Sequence, residues 1–214
     1  MLPRWVSSCD IDGQTIFLDI KRNRYSAMKS GVGRALIAGD YEAVPPPILD
    51  EVTALGWRGK AGDSRIFAPT QIEKPTIELA ALSRGAHATA GLFLSALAAI
   101  FVARYQLRTM SLERLLQAVV DSNGRAAEMP KRAAIEDIVY AAEAVERIVL
   151  GSKACLLKSL ALQRLLSRHG HASALVFGVH LNPFRAHCWL QQRNVILNDT
   201  IERIGMFTIL RAVE

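Results

Sequence analysis

Three residues in the last third of the chain have types and spacing that suit nucleophilic catalysis: Cys155, His187 and Asp199. The segment from Cys155 to His169 has helical periodicity, with Leu156, Leu157, Leu160, Leu165 and Leu166 on one broad stripe and Gly170 as its stop. Cys155 therefore falls in the first turn of a helix. Unpaired backbone N–H groups and the helix dipole there favour an anion, and the thiolate is the reactive form of cysteine. Lys153 adds positive charge nearby. A buried helix-face cysteine, acting as a small hydrophobe, is the competing reading of this residue alone.

His187 and Asp199 lie in two strand-like segments, Ala186 to Gln191 and Val195 to Asp199, joined around Gln192-Arg193-Asn194. If this hairpin pivots on Arg193, His187 and Asp199 are direct cross-strand partners, with Cβ atoms about 4.5–5.5 Å apart. The carboxylate would then hold one imidazole nitrogen and leave the other to deprotonate a thiol. A two-residue loop would shift this register by one, and a purely structural His–Asp pair fits the same pattern. Strand alternation puts Cys188 on the face opposite His187, hence in the core, and Trp189 on the face of His187, as a shield or as packing. His169 and His171 flank the helix stop and read as surface caps. His180 is a candidate cleft residue, and Cys9 reads as structural. No ligand spacing for a metal site is present. Ser30-Gly-Val-Gly33 lacks the third glycine of a dinucleotide fingerprint, since Leu36 stands there, and no phosphate-binding loop motif occurs. No cofactor is expected.

The elements that must carry these residues follow from the rest of the chain. With 214 residues, half of them apolar, it holds one large or two small domains, and it is too apolar for wholesale disorder. Three cysteines make no disulfide framework, which fits a reducing, cytoplasmic compartment, and no signal-peptide pattern opens the sequence. The net charge of +6 is scattered, and residues 1–70 carry only +1, which argues against nucleic acid as a partner.

The first third reads as short strands and short helices. Thr15 to Ile20 is β-rich, Lys21 to Arg24 is a polar turn, and Tyr25 to Met28 is extended. Gly31 and Gly33 mark the exit, before a short helix over Arg34 to Ala38. Pro45-Pro46-Pro47 starts a second helix carrying Ile48, Leu49, Val52 and Leu55. Gly56 to Pro75, rich in Gly, Asp, Ser and Pro, reads as a wing-like hairpin or linker and as the domain boundary. Beyond it, no formal charge occurs between Arg84 and Arg104. This Ala/Leu-rich helix reads as core or as a greasy face awaiting a partner, and no stable membrane span is expected of it. Further helices are expected over Leu112 to Val120, capped by Ser111, and from Pro130 through Ile148. The segment Ala172 to Leu181 reads as a strand, and Asn182-Pro183 as a turn.

The run Cys155-Leu-Leu-Lys-Ser-Leu-Ala-Leu-Gln-Arg-Leu-Leu-Ser-Arg-His-Gly170 resembles the nucleophile helix of the lasso-peptide B proteins. Ala174-Leu-Val-Phe-Gly-Val179, Asn182-Pro-Phe-Arg-Ala-His187-Cys-Trp189 and Asn198-Asp199 extend the resemblance over residues 153–200. These proteins are leader peptidases of lasso-peptide biosynthesis. The resemblance implies an α+β chain. Residues 76–214 would form a transglutaminase- or papain-like cysteine peptidase domain with a Cys155-His187-Asp199 triad.

More weakly, residues 1–75 resemble the PqqD-like RiPP recognition element, a small winged-helix-like module. Phe17-Leu-Asp-Ile20, Tyr25 and the glycine-containing entry to the first helix carry this likeness. It implies that the leader region of a lasso precursor adds as a strand along Asn23, Arg24, Tyr25, Ser26, Ala27 and Met28. The leader would also pack on the last helix of this module, near Ile48 to Leu55, with Leu49 and Val52 as named contacts. The resemblance further implies an ATP-dependent, asparagine-synthetase-like cyclase as partner, for which the apolar helix after Arg84 is a candidate dock. Two other readings remain open: a transglutaminase-like amidase or acyltransferase, and a non-catalytic leader- or DNA-binding protein.

Overall fold

The fold was analysed in a computed structural model that describes residues 2–58, 72–79, 86–149 and 154–214. It divides into two compact units, Met1–Pro69 and Thr70–Glu214. Most of the Gly56 to Pro75 hairpin or linker expected from sequence, together with Lys153, lies outside the described residues.

The first unit is a three-stranded antiparallel meander, β1 (Val6–Ile11), β2 (Gln14–Asp19) and β3 (Arg24–Lys29), followed by α1 (Ser30–Ala38) and α2 (Pro46–Ala54). Asn23 adopts a φ of 50° in the turn before β3, a conformation that Asn tolerates better than most residues. Helix α1 begins at Ser30, four residues before the expected start, so Gly31 and Gly33 lie inside it rather than at its entry. The reason is close approach: a Cβ on Gly33 would sit 2.3 Å from the Cβ of Thr15 on β2. Glycine here lets the helix backbone lie directly on the sheet. Helix α2 starts where the proline run suggested. Phe17, Leu36, Val52 and Trp57 form the core. The indole Nε1 of Trp57 donates to the buried Asp19 carboxylate at 2.9 Å, which anchors the chain leaving α2 onto β2.

The second unit packs helices on a five-stranded sheet. Its elements are β4 (Ile77–Glu78), α3 (Ala90–Thr109), α4 (Leu112–Glu128), α5 (Ile135–Val149), α6 (Cys155–Arg168), β5 (Ala174–His180), β6 (Arg185–Gln192), β7 (Val195–Ile196), α7 (Ile201–Ile204) and β8 (Thr208–Val213). The strand order is β4-β7-β6-β5-β8, antiparallel except for the β4–β7 pair. Helix α6 is central, packed against α3, α4 and α5 and against β5 and β6. Leu160, Leu162, Leu165 and Leu166 are buried along it, each worth about 1.5–3 kcal/mol relative to exposure.

Three helices of this unit also differ from the sequence reading. Helix α3 begins at Ala90, capped by the Thr89 hydroxyl, and residues 86–89 are not helical. It is long and apolar enough to cross a membrane by length and composition, with a mean hydropathy of 1.6. It buries Leu92, Ala96, Ala99, Ile100 and Ala103 while Leu94, Phe101 and Tyr105 are exposed, so it combines a core face with an uncovered one. Helix α4 runs eight residues past Val120, through polar Asp121 to Gly124. Asn123 is buried there, donating to the Ser173 carbonyl at 2.8 Å and accepting from Gln163 Nε2 at 3.0 Å, so a polar residue acts as core. Helix α5 starts at Ile135 and not at Pro130. Residues 130–134 form a connection, held where the Arg132 N–H donates to the His169 carbonyl.

Candidate active site

Helix α6 presents Cys155 at its first residue, and the preceding Ala154 supplies no side-chain cap. The backbone N–H groups of this first turn are therefore left for other acceptors. From β6, His187 reaches Asp199: Nε2 lies 2.5 Å from Oδ2. Asp199 is held in turn by the Thr200 N–H, which donates to Oδ1 at 2.9 Å. Its side chain is only 5% exposed. With Nε2 taken by the carboxylate, Nδ1 is the imidazole nitrogen left for the Cys155 thiol. Cys155, His187, Cys188, Asn198 and Asp199 line one cleft of about 250 Å³, walled on the other side by Glu143 and Glu146 of α5.

The His187–Asp199 pair is not made as the hairpin arithmetic anticipated. The loop has two residues, Arg193 with a φ of 53° and Asn194, so Gln192 pairs with Val195 and Gln191 with Ile196. That register would place His187 opposite Thr200. The ladder ends at Ile196, the expected strand to Asp199 is cut short, and Asp199 meets the imidazole from the chain that leaves the sheet.

Asn198 fixes this departure. Its Oδ1 accepts from the Leu190 N–H at 2.8 Å, and its Nδ2 donates to Ser159 Oγ at 3.0 Å. Ser159, fully buried on α6, donates to the Cys188 carbonyl at 3.4 Å. One polar clamp thus ties the cysteine helix, the histidine strand and the aspartate segment together. Asn198→Ala leaves the Leu190 N–H without its acceptor, a cost of about 1–3 kcal/mol. The urea midpoint should fall accordingly, and the Cys155, His187 and Asp199 side chains should lose register.

Aromatic rings fix the imidazole. Trp189 stacks on His187 at a centroid distance of 6.2 Å, and Phe207 lies 5.1 Å away. Gly178, paired with His187 in the ladder, makes room: a Cβ there would meet Phe207 Cβ and the Trp189 ring at 2.9 Å. Phe207 gave no sequence signal, because it comes from the turn before β8.

The electrostatics separate the two thiols. The Cys155 thiol is lowered to about 4, chiefly by a hydrogen bond from the Cys188 thiol. Burial works against this, while His187 and the Cys188 backbone N–H add to it. Cys188 moves the other way, well above its usual value, because it donates to Cys155 and is buried. His187 is raised to about 9: burial lowers it, but the Asp199 and Cys155 bonds and charges prevail. Both shifts favour a Cys155 thiolate beside a His187 imidazolium. Cys188 is therefore not merely core, as alternation suggested: its buried thiol reaches the Cys155 sulfur.

The other sequence candidates lie elsewhere. His171 is buried, with Nε2 2.9 Å from the Ala133 carbonyl, so it is no surface cap. His180 bonds the Pro183 carbonyl, and it is absent from the described lining of the cleft. Half-buried Cys9 is raised to about 11 by burial and by Asp10. Among the described residues, no group of three His, Cys, Asp or Glu side chains is placed to hold a metal ion.

In the first unit, β3 is an edge strand among the described residues, and a groove of about 520 Å³ runs between it and α2. Arg24, Tyr25, Ser26, Ala27 and Met28 line it, as do Ile48, Glu51, Leu55 and Trp57. Asn23 lies in the turn before the strand, outside this lining. Leu49 and Val52 also fall outside it: Val52 is buried in the core and Leu49 packs on that core. Within the expected stretch from Ile48 to Leu55, the helical phase turns Ile48, Glu51 and Leu55 to the groove instead.

Comparison with protein families matches residues 97–212, more than half of the chain, to the transglutaminase-like superfamily. The protein belongs to this superfamily, which is of cysteine-protease and acyltransferase type. Searches of curated proteins and of solved structures found no match.

Proposed function

We propose that the protein is a cytoplasmic cysteine peptidase that removes the leader from a ribosomally made lasso precursor before macrolactam closure. The observation that carries the catalytic part is the thiolate–imidazolium pair of Cys155 and His187, backed by Asp199. Cys155 Sγ attacks the scissile carbonyl. The carbonyl oxygen gains negative charge, and the Cys155 backbone N–H at the start of α6 is one donor for it. As the C–N bond breaks, His187 gives its proton to the leaving amine, and the leader remains as a thioester. His187 then takes a proton from water, hydroxide adds to the thioester, and the leader leaves as a carboxylic acid.

The substrate assignment rests on the resemblance over residues 153–200 and on the groove beside β3. An extended leader there would add a fourth strand to the meander, gaining backbone hydrogen bonds, with side-chain selection from Ile48 and Leu55. Ile48→Asp puts a charge into this groove. It should raise KM for full-length precursor about tenfold or more with little change in kcat, while the thermal transition shows that the first unit stays folded. An ATP-dependent, asparagine-synthetase-like cyclase is the proposed acceptor of the freed amine.

The deciding experiment incubates the protein with precursor, with and without that cyclase, and reads product masses. Free leader and core peptides support hydrolysis. A new amide between leader and an added amine would favour the amidase or acyltransferase reading, which the same triad and superfamily also accommodate. Leader binding with no cut under either condition would overturn the peptidase.

A further inference from the structure

A cavity of about 600 Å³ in the second unit lies among α3, α4 and α6, away from the cleft that holds Cys155. Its charged lining is one-sided. Arg125 comes from α4, Arg132 from the connection before α5, and Arg164 and Arg168 from α6, with His169 beside them. No carboxylate lines the cavity among the described residues, and none of the four arginines forms a described ion pair. Arg164 Nε and His169 Nδ1 are buried without a hydrogen-bond partner among the described residues. The floor is apolar, built from Leu115, Val119 and Leu160.

Gathering four guanidinium groups in one concavity is unfavourable for the fold on its own. Burial lowers the basicity of Arg164 and His169, and neighbouring basic groups add to the effect: Arg168 on Arg164, and His171, Arg132 and Arg168 on His169. Arginines near the C-terminal end of α6 do answer the helix dipole. That accounts for Arg168, and it does not account for a buried Arg164 Nε or for cations arriving from two other segments. Every cation here is Arg or His and none is Lys. The planar guanidinium fork matches a phosphate oxygen pair, and several forks around one hollow match a group bearing several such oxygens. The volume lies within the range of small-molecule sites and leaves an apolar floor for an organic portion.

We propose that this cavity is a binding site for an organic phosphate carrying at least two negative charges, with Arg164 and Arg168 as its central contacts. Such a group has two sources, a soluble polyphosphate or an anionic lipid headgroup, and the recognition chemistry is shared. Arg164 stands nine residues along α6 from Cys155, about 14 Å at 1.5 Å per residue, so the ligand sits at the far end of the nucleophile helix.

The test uses the full-length protein at constant ionic strength. Pyrophosphate, ATP, and vesicles with or without phosphatidylglycerol are titrated separately, with sodium chloride and sulfate as controls. Sub-millimolar binding of pyrophosphate or ATP, with a raised thermal midpoint, is expected if the source is soluble. Binding only to the anionic vesicles identifies the lipid source. In either case Arg164→Gln and Arg168→Gln should each weaken binding about tenfold or more, while precursor cleavage by the unliganded protein is unchanged. Arg164→Gln should also leave the unliganded thermal midpoint equal or higher, because it relieves like-charge crowding. Arg168→Gln, at an exposed position, serves if the first variant does not fold. The proposal is overturned if no phosphate probe binds, if sulfate gives the same effect, or if both variants bind as the wild type does.

Discussion

Replacing Cys155 by Ala should abolish precursor cleavage, lowering kcat/KM by about 10⁴-fold or more, while Cys188→Ala should keep most of it. The two sulfurs lie in one cleft, so a reactive thiol found there by labelling would not by itself identify the nucleophile. Their environments assign the roles. Cys155 occupies the start of α6, where the dipole and the imidazolium favour its anion. Cys188 is buried on β6 and donates its proton to Cys155. Without that donor, Cys155→thiolate formation is less favourable, so the acidic limb of the Cys188→Ala rate profile should move up in pH. A stoichiometric thiol reagent at pH 6 should label wild type and Cys188→Ala at one site, and leave Cys155→Ala unlabelled there. Mass spectrometry of the cleavage and labelling products reads both results. Loss of all cleavage in folded Cys188→Ala, with Cys155→Ala still active, would reverse the assignment.

What the sequence made legible was what local pattern encodes. The strand and turn punctuation of the first unit, the cysteine at a helix start, the glycine stop at residue 170 and the β5–β6 hairpin follow from apolar periodicity and turn chemistry. What it hid depends on tertiary partners. The β6–β7 loop length decides whether His187 faces residue 199 or 200, and two or three loop residues fit the same letters. The contact survives because Asn198 pulls the chain off the ladder, a side-chain effect that no strand pattern encodes. Alternation correctly predicts that Cys188 is buried, but burial is not distance from the site, since α6, which carries Cys155, packs against β6. Polar Ser159, Gln163 and Ser167 interrupt the leucine pattern of α6, yet all three are buried, because α4 and β6 answer Ser159 and Gln163 with hydrogen bonds. The arginine cavity is the extreme case: its arginines are spread from Arg125 to Arg168 and form no run that composition would notice.

Asp199→Asn should lower kcat by about 10²- to 10⁴-fold and displace the basic limb of the pH profile. In the proposed mechanism the rate requires thiolate and imidazolium together. Below about 4 Cys155 gains its proton, and above about 9 His187 loses its own, so kcat/KM should form a plateau between these limits. The sign of the variant's shift follows from the forces on His187. Burial favours the neutral ring, whereas the Asp199 bond and charge, together with Cys155, favour the cation. An amide at 199 removes the carboxylate charge and leaves burial opposed by Cys155 alone. The basic limb must then move to lower pH, toward the ordinary histidine value, and the active window narrows from its alkaline side. The acidic limb, set first by the Cys188 hydrogen bond, should move much less. Asn can donate as well as accept through its amide, so it also weakens the selection of the ring orientation that turns Nδ1 to the thiol, which is why kcat falls even at the pH optimum. Profiles of kcat/KM against pH for wild type and Asp199→Asn measure both effects. Superimposable profiles would mean that the 2.5 Å contact holds the fold but does not tune the histidine.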